Sequence, residues 1–219
     1  MPELTPQFLT IGFIYYIVFL FSTTCHEASH ALVAKWGGDS TAALNGQVTL
    51  NPIPHIRREF WGMVIIPIAA FLFMGQMIGW ASAPFDPAWE RRYPKRAALM
   101  ALAGPAANFI LMLIGAIGLR TLAWLRVPGE GIGFLVATLY AMFSLNLLLG
   151  TFNLLPLAPL DGSTGILLFM SESTAQRYLD WLRESSYARL GLLVGLLAFR
   201  YLYGPIESFA TNLFLRSHF

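Results

Sequence analysis

The feature that most constrains this chain is an apolar segment from Phe8 to about Ala34, whose only acidic and imidazole side chains lie near its C-terminal end. As an α-helix it is roughly 40 Å long, which exceeds the hydrocarbon core of a bilayer at about 30 Å. A helix also satisfies its own backbone hydrogen bonds, as lipid requires. The segment is therefore predicted to span a membrane. No basic region precedes Lys35, so we expect a permanent helix rather than a cleaved signal peptide.

The composition of the whole chain agrees with a membrane location. Of its 219 residues, 56% are hydrophobic and 12% are charged, and the mean hydropathy is +0.59. A soluble domain has a charged fraction of roughly a quarter. The net charge of +2 is too small to suggest a nucleic-acid partner, and a single cysteine, Cys25, excludes an intrachain disulfide. We expect one integral-membrane domain over residues 1–219, in contact with a lipid bilayer.

Further apolar segments follow along the chain. Ala97–Leu119 and Ile132–Leu155 are clear candidate spans, whereas Trp61–Trp80 is interrupted by Pro67, Gly75 and Gly79. With the first segment and a last, short apolar helix over Leu190–Tyr203, they predict an all-α polytopic membrane protein of about four to five transmembrane helices.

The predicted domain has a core and a C-terminal part. The core covers residues 8–170, and residues 172–219 hold an interfacial helix and the short apolar helix. The interfacial helix is predicted over Ser173–Arg183, where aromatic and apolar residues recur among charged ones.

One stretch between the spans is predicted to be a β-strand. Residues 46–50, GQVTL, alternate between polar and apolar side chains. We expect them to form part of a short, membrane-associated β-hairpin. Its edge could take up an extended substrate as an additional strand, although the same hairpin could simply pack against the membrane surface.

The polar end of the first segment contains His26, Glu27 and His30. Histidines at i and i+4 lie on one face of a helix, so both imidazoles can reach one ion. A zinc ion bound there lowers the pKa of its water, and the adjacent glutamate can take the proton of that water. The alternative is a hydrogen-bonded structural cluster, which is disfavoured because no cation in the segment neutralises Glu27.

A catalytic zinc site normally has three protein ligands, so a third one is needed. The candidates are Asp161, His55 and His218. Asp161 follows the proline-broken end of an apolar span, where an unpaired carboxylate would be unfavourable. His55 lies in a polar stretch where an exposed histidine without a ligand is expected, and His218 is next to the C-terminus. Asp161 is therefore the favoured third ligand.

Four sequence blocks connect this chain with a known family. They are HEASHA at 26–31, QVTLNP at 47–52, AGPAAN at 103–108 and NLLPLAPLDG at 153–162. In this order they resemble the site-2 proteases, peptidase family M50, and most of all the short bacterial and archaeal members that lack an inserted regulatory domain. Two departures are Ser82, where relatives often have a basic residue, and Ser163, where glycine is also common.

The resemblance implies an intramembrane zinc metalloprotease with one Zn²⁺ per chain and a transmembrane protein as its substrate. It implies His26, His30 and Asp161 as ligands and Glu27 as catalytic acid and base. The alternative function is a non-proteolytic membrane protein that keeps zinc for structure or ion handling. Retention of Glu27 argues against it, because a structural zinc needs no general base.

The resemblance also implies polar support from Asn108 and Asn153. Independently of it, a neutral amide can stabilise the oxyanion that develops during peptide hydrolysis without burying a charge. The alternative is hydrogen bonding between membrane helices, which is equally reasonable for Asn108. A structural role is expected for Asn146, and close helix packing is expected at Gly104.

The positions of the ligands also predict the topology. The histidines and Asp161 lie towards the C-terminal ends of their spans, so these two spans must be parallel and only one crossing can separate them. Trp61–Trp80 should therefore re-enter or form a hairpin. Most basic residues, among them Arg57 and Arg92, then lie on the cytoplasmic side of a prokaryotic cell membrane, with Arg120 and Arg126 in the short outer connection. The N-terminus is expected outside, and the active site nearer the cytoplasmic face.

Overall fold

A computed structural model describes residues 2–127, 131–185 and 190–216, and these residues form helices joined by loops. The helices are α1 (Pro6–Gly37), α2 (Thr41–Leu44), α3 (Pro52–Arg58), α4 (Ile66–Met74), α5 (Pro87–Arg92), α6 (Pro94–Trp124), α7 (Gly133–Asn153), α8 (Asp161–Gly165), α9 (Glu172–Glu184) and α10 (Gly191–Phe214). A π-helical turn, Trp61–Ile65, leads into α4, and a 3-10 turn, Ile166–Phe169, follows α8.

Three of these helices, α1, α6 and α7, are long and apolar enough to cross a membrane. The prediction of four to five spans is therefore wrong. The last apolar helix is longer than predicted, but α10 contains Arg200, Pro205 and Glu207, which interrupt its apolar sequence. The segment before Met74 forms only a short apolar helix.

Helix α6 packs between α1 and α7 and is antiparallel to both. His26 of α1 contacts Asn108, and His30 contacts the earlier residue Met100, so α1 and α6 run in opposite directions. A Cβ atom on Gly115 would lie 2.7 Å from the Leu139 carbonyl oxygen of α7, so the two backbones are in close contact there.

Helices α1 and α7 run in the same direction. Tyr15 contacts Ser144 at 3.3 Å, and further along both helices Asn146 donates a hydrogen bond to Ser22 at 2.8 Å. This confirms the parallel arrangement predicted from the positions of the ligands. It brings the C-terminal halves of both helices to one end of the three-helix core.

The predicted β-hairpin is not formed, because no strand occurs among the residues that the structure describes. Residues 46–50 instead follow α2 in an irregular path. The Gln47 side chain is buried, and the Thr49 carbonyl accepts a hydrogen bond from the His55 imidazole of α3. Alternation of polar and apolar side chains gives a strand only where a second strand pairs with its backbone, and none is available here.

The segment Trp61–Trp80 turns back on itself. Helix α4 runs along the N-terminal half of α1, where Phe71 stacks on Phe8 with ring centroids 4.4 Å apart. Gly75 ends it with a left-handed backbone, φ +70°. The chain then runs back towards the start of the segment. There the Trp80 amide donates a hydrogen bond to the Gly62 carbonyl at 3.1 Å.

Helix α9 lies where the interfacial helix Ser173–Arg183 was predicted. Ser171 caps its first turn by accepting a hydrogen bond from the Thr174 amide. Its apolar side, with Ala175 and Leu179, packs against Ala98 of α6 and Leu167. This contact fixes the C-terminal part of the chain against the three-helix core.

Candidate metal centre

The side chains of His26, His30 and Asp161 converge at one point. Both histidines come from successive turns of α1, and Asp161 is the first residue of α8. The Nε2 atoms of the histidines are 3.0 Å apart. Asp161 places its Oδ2 atom 3.1 Å from Nε2 of His26 and its Oδ1 atom 3.4 Å from Nε2 of His30.

Hydrogen bonds to the other ring nitrogens orient both histidines. Nδ1 of His26 is 2.6 Å from Oδ1 of Asn108, and Nδ1 of His30 is 2.7 Å from the Met100 carbonyl oxygen. Because both partners are acceptors, each Nδ1 carries the proton and donates it. Each Nε2 therefore presents a lone pair towards Asp161.

This set of donor atoms fits a zinc ion. Two lone pairs and a carboxylate repel one another unless a cation lies between them, and Oδ2 of Asp161 is buried without a hydrogen-bond donor. Ligand atoms at 2.0–2.1 Å from one tetrahedral zinc would be about 3.3 Å apart, close to the separations observed. Two imidazoles and one carboxylate are also a common protein ligand set of catalytic zinc, which leaves one position open.

Glu27 lies beside this group. It is buried, and a carboxylate oxygen of Glu27 lies within 4.8 Å of the ring nitrogens that His26 and His30 offer to a metal. A carboxylate at this distance is near enough to exchange a proton with a ligand in the open position, directly or through one water.

Comparison with known proteins identifies the family of this chain. The profile of peptidase family M50 matches residues 14–132 and 130–198.

The chain belongs to peptidase family M50.

It is 38% identical over 152 residues to "Putative zinc metalloprotease YwhC" of Bacillus subtilis, and the match covers 67% of this chain and 64% of that protein. It is 30% identical over 178 residues to "Putative zinc metalloprotease Rip3" of Mycobacterium tuberculosis, and this match covers 80% of this chain and 33% of that protein. The chain thus spans less than two thirds of the length of these curated relatives. No solved structure matches it significantly. The resemblance to site-2 proteases is confirmed.

In this M50 chain, Gly104 lets α6 approach the two histidines. A Cβ atom at Gly104 would lie 2.3 Å from Nε2 of His30 and 2.5 Å from Nε2 of His26. The close helix packing predicted for Gly104 is confirmed, and the packing surface is the candidate metal centre itself.

The other candidate ligands do not join the centre. His55 is buried, not exposed as predicted, and its Nε2 atom lies 3.1 Å from the Thr49 carbonyl oxygen. His218 lies outside the described residues. His55 lies in a polar stretch of the sequence, and no local pattern there indicates that α3 packs against α1 and buries it.

The asparagines divide into two groups. Asn108 contacts His26, as described above, and Asn146 contacts Asn108 with its Oδ1 atom 2.8 Å from the Asn108 amide nitrogen. Asn153 is farther along α7, where its amide donates to the Leu149 carbonyl at 3.1 Å and its side chain lines the cavity beside the centre. The link from Asn146 through Asn108 to His26 was not predicted, because no local sequence signal indicates a contact between three helices.

The centre forms one side of a cavity of about 970 Å³ in this M50 chain. Its walls include the extended residues 78–85 and parts of α5, α7, α9 and the start of α10. Apolar residues make up most of the surface, and the polar side chains that line the cavity include His26, Glu27, His30 and Asp161.

Proposed function

We propose that this chain is an intramembrane zinc endopeptidase that hydrolyses peptide bonds in or near the transmembrane segments of other membrane proteins. His26, His30 and Asp161 hold one zinc ion, and Glu27 is the general base. The observation that carries this proposal is the convergence of two imidazole lone pairs and a carboxylate beside a buried glutamate, on a helix of membrane-spanning length.

When bound, zinc polarises the scissile carbonyl and acidifies the attacking water. Glu27 accepts the proton of that water on its carboxylate and later delivers it to the leaving amine nitrogen. Asn153 lines the same cavity and offers an amide donor to the carbonyl oxygen that becomes negative during attack. Asn108 supports the reaction by orienting His26 rather than by contacting the substrate.

The substrate must be extended at the cleaved bond, because the carbonyl groups of a helix are occupied by internal hydrogen bonds. Residues 78–85 offer an edge for such a segment along one wall of the cavity. Apart from the bond between Trp80 and Gly62, their backbone makes no hydrogen bond to another backbone group in the described part of the chain. The Ser82 carbonyl accepts a hydrogen bond from the Arg58 side chain, and Pro84 has no amide proton. An extended substrate can pair with the other backbone groups of this segment.

The basic residues support an orientation for the protein. Lys35 lies in the last turn of α1, and Arg91 and Arg92 end α5, just before Arg96 in the first turn of α6, at the same end of the core. By the positive-inside rule this end faces the cytoplasm of a prokaryotic cell, and the N-terminus lies outside.

A test of the function separates metal binding from chemistry. The variant Glu27→Gln should retain about one zinc per chain but lose cleavage of a membrane-spanning reporter peptide by a factor of roughly 10² or more, because an amide accepts no proton. The purified protein in detergent is assayed for both zinc content and cleavage. Glu172→Gln is the matched control, since Glu172 is an exposed carboxylate at the start of α9 that does not line the cavity, and this variant should remain active.

The alternative function predicts a different result, namely no cleavage by the wild-type protein. In a non-proteolytic protein that keeps zinc for structure or ion handling, wild type and Glu27→Gln would bind zinc equally and neither would cleave. Absence of zinc from the wild-type protein would contradict both functions.

A further inference from the structure

A chain of polar side chains crosses the apolar core and ends at the candidate metal centre. Asn108 of α6 and Asn146 of α7 are both 0% exposed. The Asn108 amide donates to Oδ1 of Asn146 at 2.8 Å, and the Asn146 amide donates to Ser22 at 2.8 Å and to the Met142 carbonyl at 2.9 Å. Buried amides are unfavourable unless every group is paired, so this connection between three helices needs an explanation.

The hydrogen bonds in this row of side chains can have only one donor-to-acceptor direction. A carbonyl oxygen cannot donate, so the Met142 carbonyl requires that Asn146 turn its NH₂ group towards it. Oδ1 of Asn146 then faces Asn108, which must present its own NH₂ group in return. Oδ1 of Asn108 is thereby left facing Nδ1 of His26. Each amide fixes the orientation of the next.

We infer that Asn146 is a positioning residue, which acts through Asn108 to hold His26 in the tautomer with its proton on Nδ1. This inference rests on the proposed function in one respect, namely that Nε2 of His26 binds the zinc. Without the acceptor at Asn146, the Asn108 amide is free to flip and present its NH₂ group to His26. His26 would then take its proton on Nε2, where it blocks the metal.

His30 provides an internal reference. Its Nδ1 atom faces the Met100 carbonyl oxygen, a backbone acceptor that cannot flip. The tautomer of His30 is therefore independent of Asn146. A change at Asn146 should alter His26 alone, whereas general loosening of the core would affect both histidines.

The experiment measures tautomers and zinc affinity in three variants. Asn146→Leu removes the acceptor, whereas Asn146→Asp keeps an oxygen that can accept the hydrogen bond from the Asn108 amide. Ser144→Ala is the matched control, because it removes a different contact between α1 and α7, with Tyr15. Imidazole ¹⁵N NMR of the metal-free protein in detergent reports the tautomers, and competition with a zinc chelator reports the affinity.

We expect the wild-type protein, Asn146→Asp and Ser144→Ala to show His26 protonated on Nδ1 and to bind zinc with similar affinity. Asn146→Leu should shift His26 towards protonation on Nε2, leave His30 unchanged and weaken zinc binding by about 10- to 100-fold. Equal losses in Asn146→Leu and Ser144→Ala, or an unchanged His26 in Asn146→Leu, would overturn the inference.

The wild-type spectrum is decisive even if Asn146→Leu does not fold, since a His26 protonated on Nε2 in the wild type contradicts the inference directly. The two proposals can also fail separately. A protein that cleaves its reporter but is insensitive to Asn146→Leu keeps the function and loses the positioning role. A protein that has His26 protonated on Nδ1 but binds no zinc keeps the positioning role and loses the proposed function.

Discussion

Gly104 lies where α6 passes closest to the two histidines. The variant Gly104→Ala adds one methyl group, which would lie within 2.6 Å of ring atoms of both His26 and His30. Those rings are fixed by hydrogen bonds and cannot move aside. We expect zinc affinity to fall at least ~10-fold, even though alanine favours a helix over glycine by about 1 kcal/mol.

The matched control is Gly118→Ala, at another glycine of α6. Its new methyl group would meet the end of the flexible Leu139 side chain at 2.7 Å, and no ring atom of the centre. Chelator competition should give an unchanged zinc affinity for this variant. A similar loss in both variants would show that helix packing in general, and not the histidines, is sensitive to the substitution.

Glu90 shows how a buried charge holds one helix on another. It is 5% exposed, accepts a hydrogen bond from Arg183 of α9 at 2.8 Å and lines the cavity. Burial raises the pKa of Glu90, while Arg183 and the Thr164 hydroxyl act in the opposite direction. The carboxyl group therefore depends on its partner to remain ionised.

Removal of that partner should detach α9. We expect Arg183→Met to lower the free energy of unfolding by about 1–3 kcal/mol and to speed proteolytic cleavage within α9, because Glu90 loses its cation. Arg91→Met loses only an exposed pair with Asp180, worth about 0–1 kcal/mol. Adding Glu90→Gln to Arg183→Met should restore part of the stability, and no recovery would argue against the pair.

Asp39 anchors the loop that follows α1. Its carboxylate accepts hydrogen bonds from the backbone amide and hydroxyl of Thr41 and from the backbone amide of Asp86, across to the chain before α5. Burial alone would raise the pKa of Asp39, but these hydrogen bonds outweigh it and hold the pKa below its usual value.

The sign of this shift gives a pH dependence. A folded-state pKa below the unfolded value of about 3.9 means that the carboxylate stabilises the fold above that pH, and that this stability is lost as the pH falls through the folded-state pKa. Asp39→Asn should therefore lower the Tm at pH 7, and the difference from wild type should shrink below about pH 4. Glu3→Gln, at an exposed carboxylate, serves as control. A constant difference down to pH 3 would contradict the assignment.

At the scale of the whole molecule, the three long helices and the reversal after α4 specify which residues share a side of the membrane. Met74 ends α4 beside the N-terminal half of α1, and the chain returns to Arg58, which donates to the Ser82 carbonyl at 3.1 Å. The residues before and after this reversal, Arg58 and Ser82, are therefore in contact and lie at the same end of the core.

Substituted-cysteine labelling tests the resulting orientation. In a Cys25→Ala background, Arg57→Cys and Arg92→Cys should react with a membrane-impermeant reagent only from the cytoplasmic side of sealed vesicles. Arg126→Cys, in the connection between α6 and α7, should react only from outside. Labelling of Arg57→Cys and Arg92→Cys from opposite sides would rule out the reversal as the topology in the membrane.

Much of the candidate site could be predicted from local sequence. The spacing of His26 and His30 fixes their relative position, because helix geometry puts residues four apart on one face. The burial cost of an unpaired carboxylate pointed to Asp161, and the parallel direction of α1 and α7 followed from the need of these ligands to meet. Each inference depends on one helix or on one charge.

The remaining features were decided by tertiary contacts. GQVTL at 46–50 has the alternation of a strand, but the described residues contain no strand that could pair with it. His55 is buried because α3 packs against α1. Within the described ranges, only three helices have the length and hydropathy of spans. The link from Asn146 to His26 joins residues on three helices. No local pattern encodes such contacts, because the free energy of a polar group depends on which distant group becomes its partner when the helices pack.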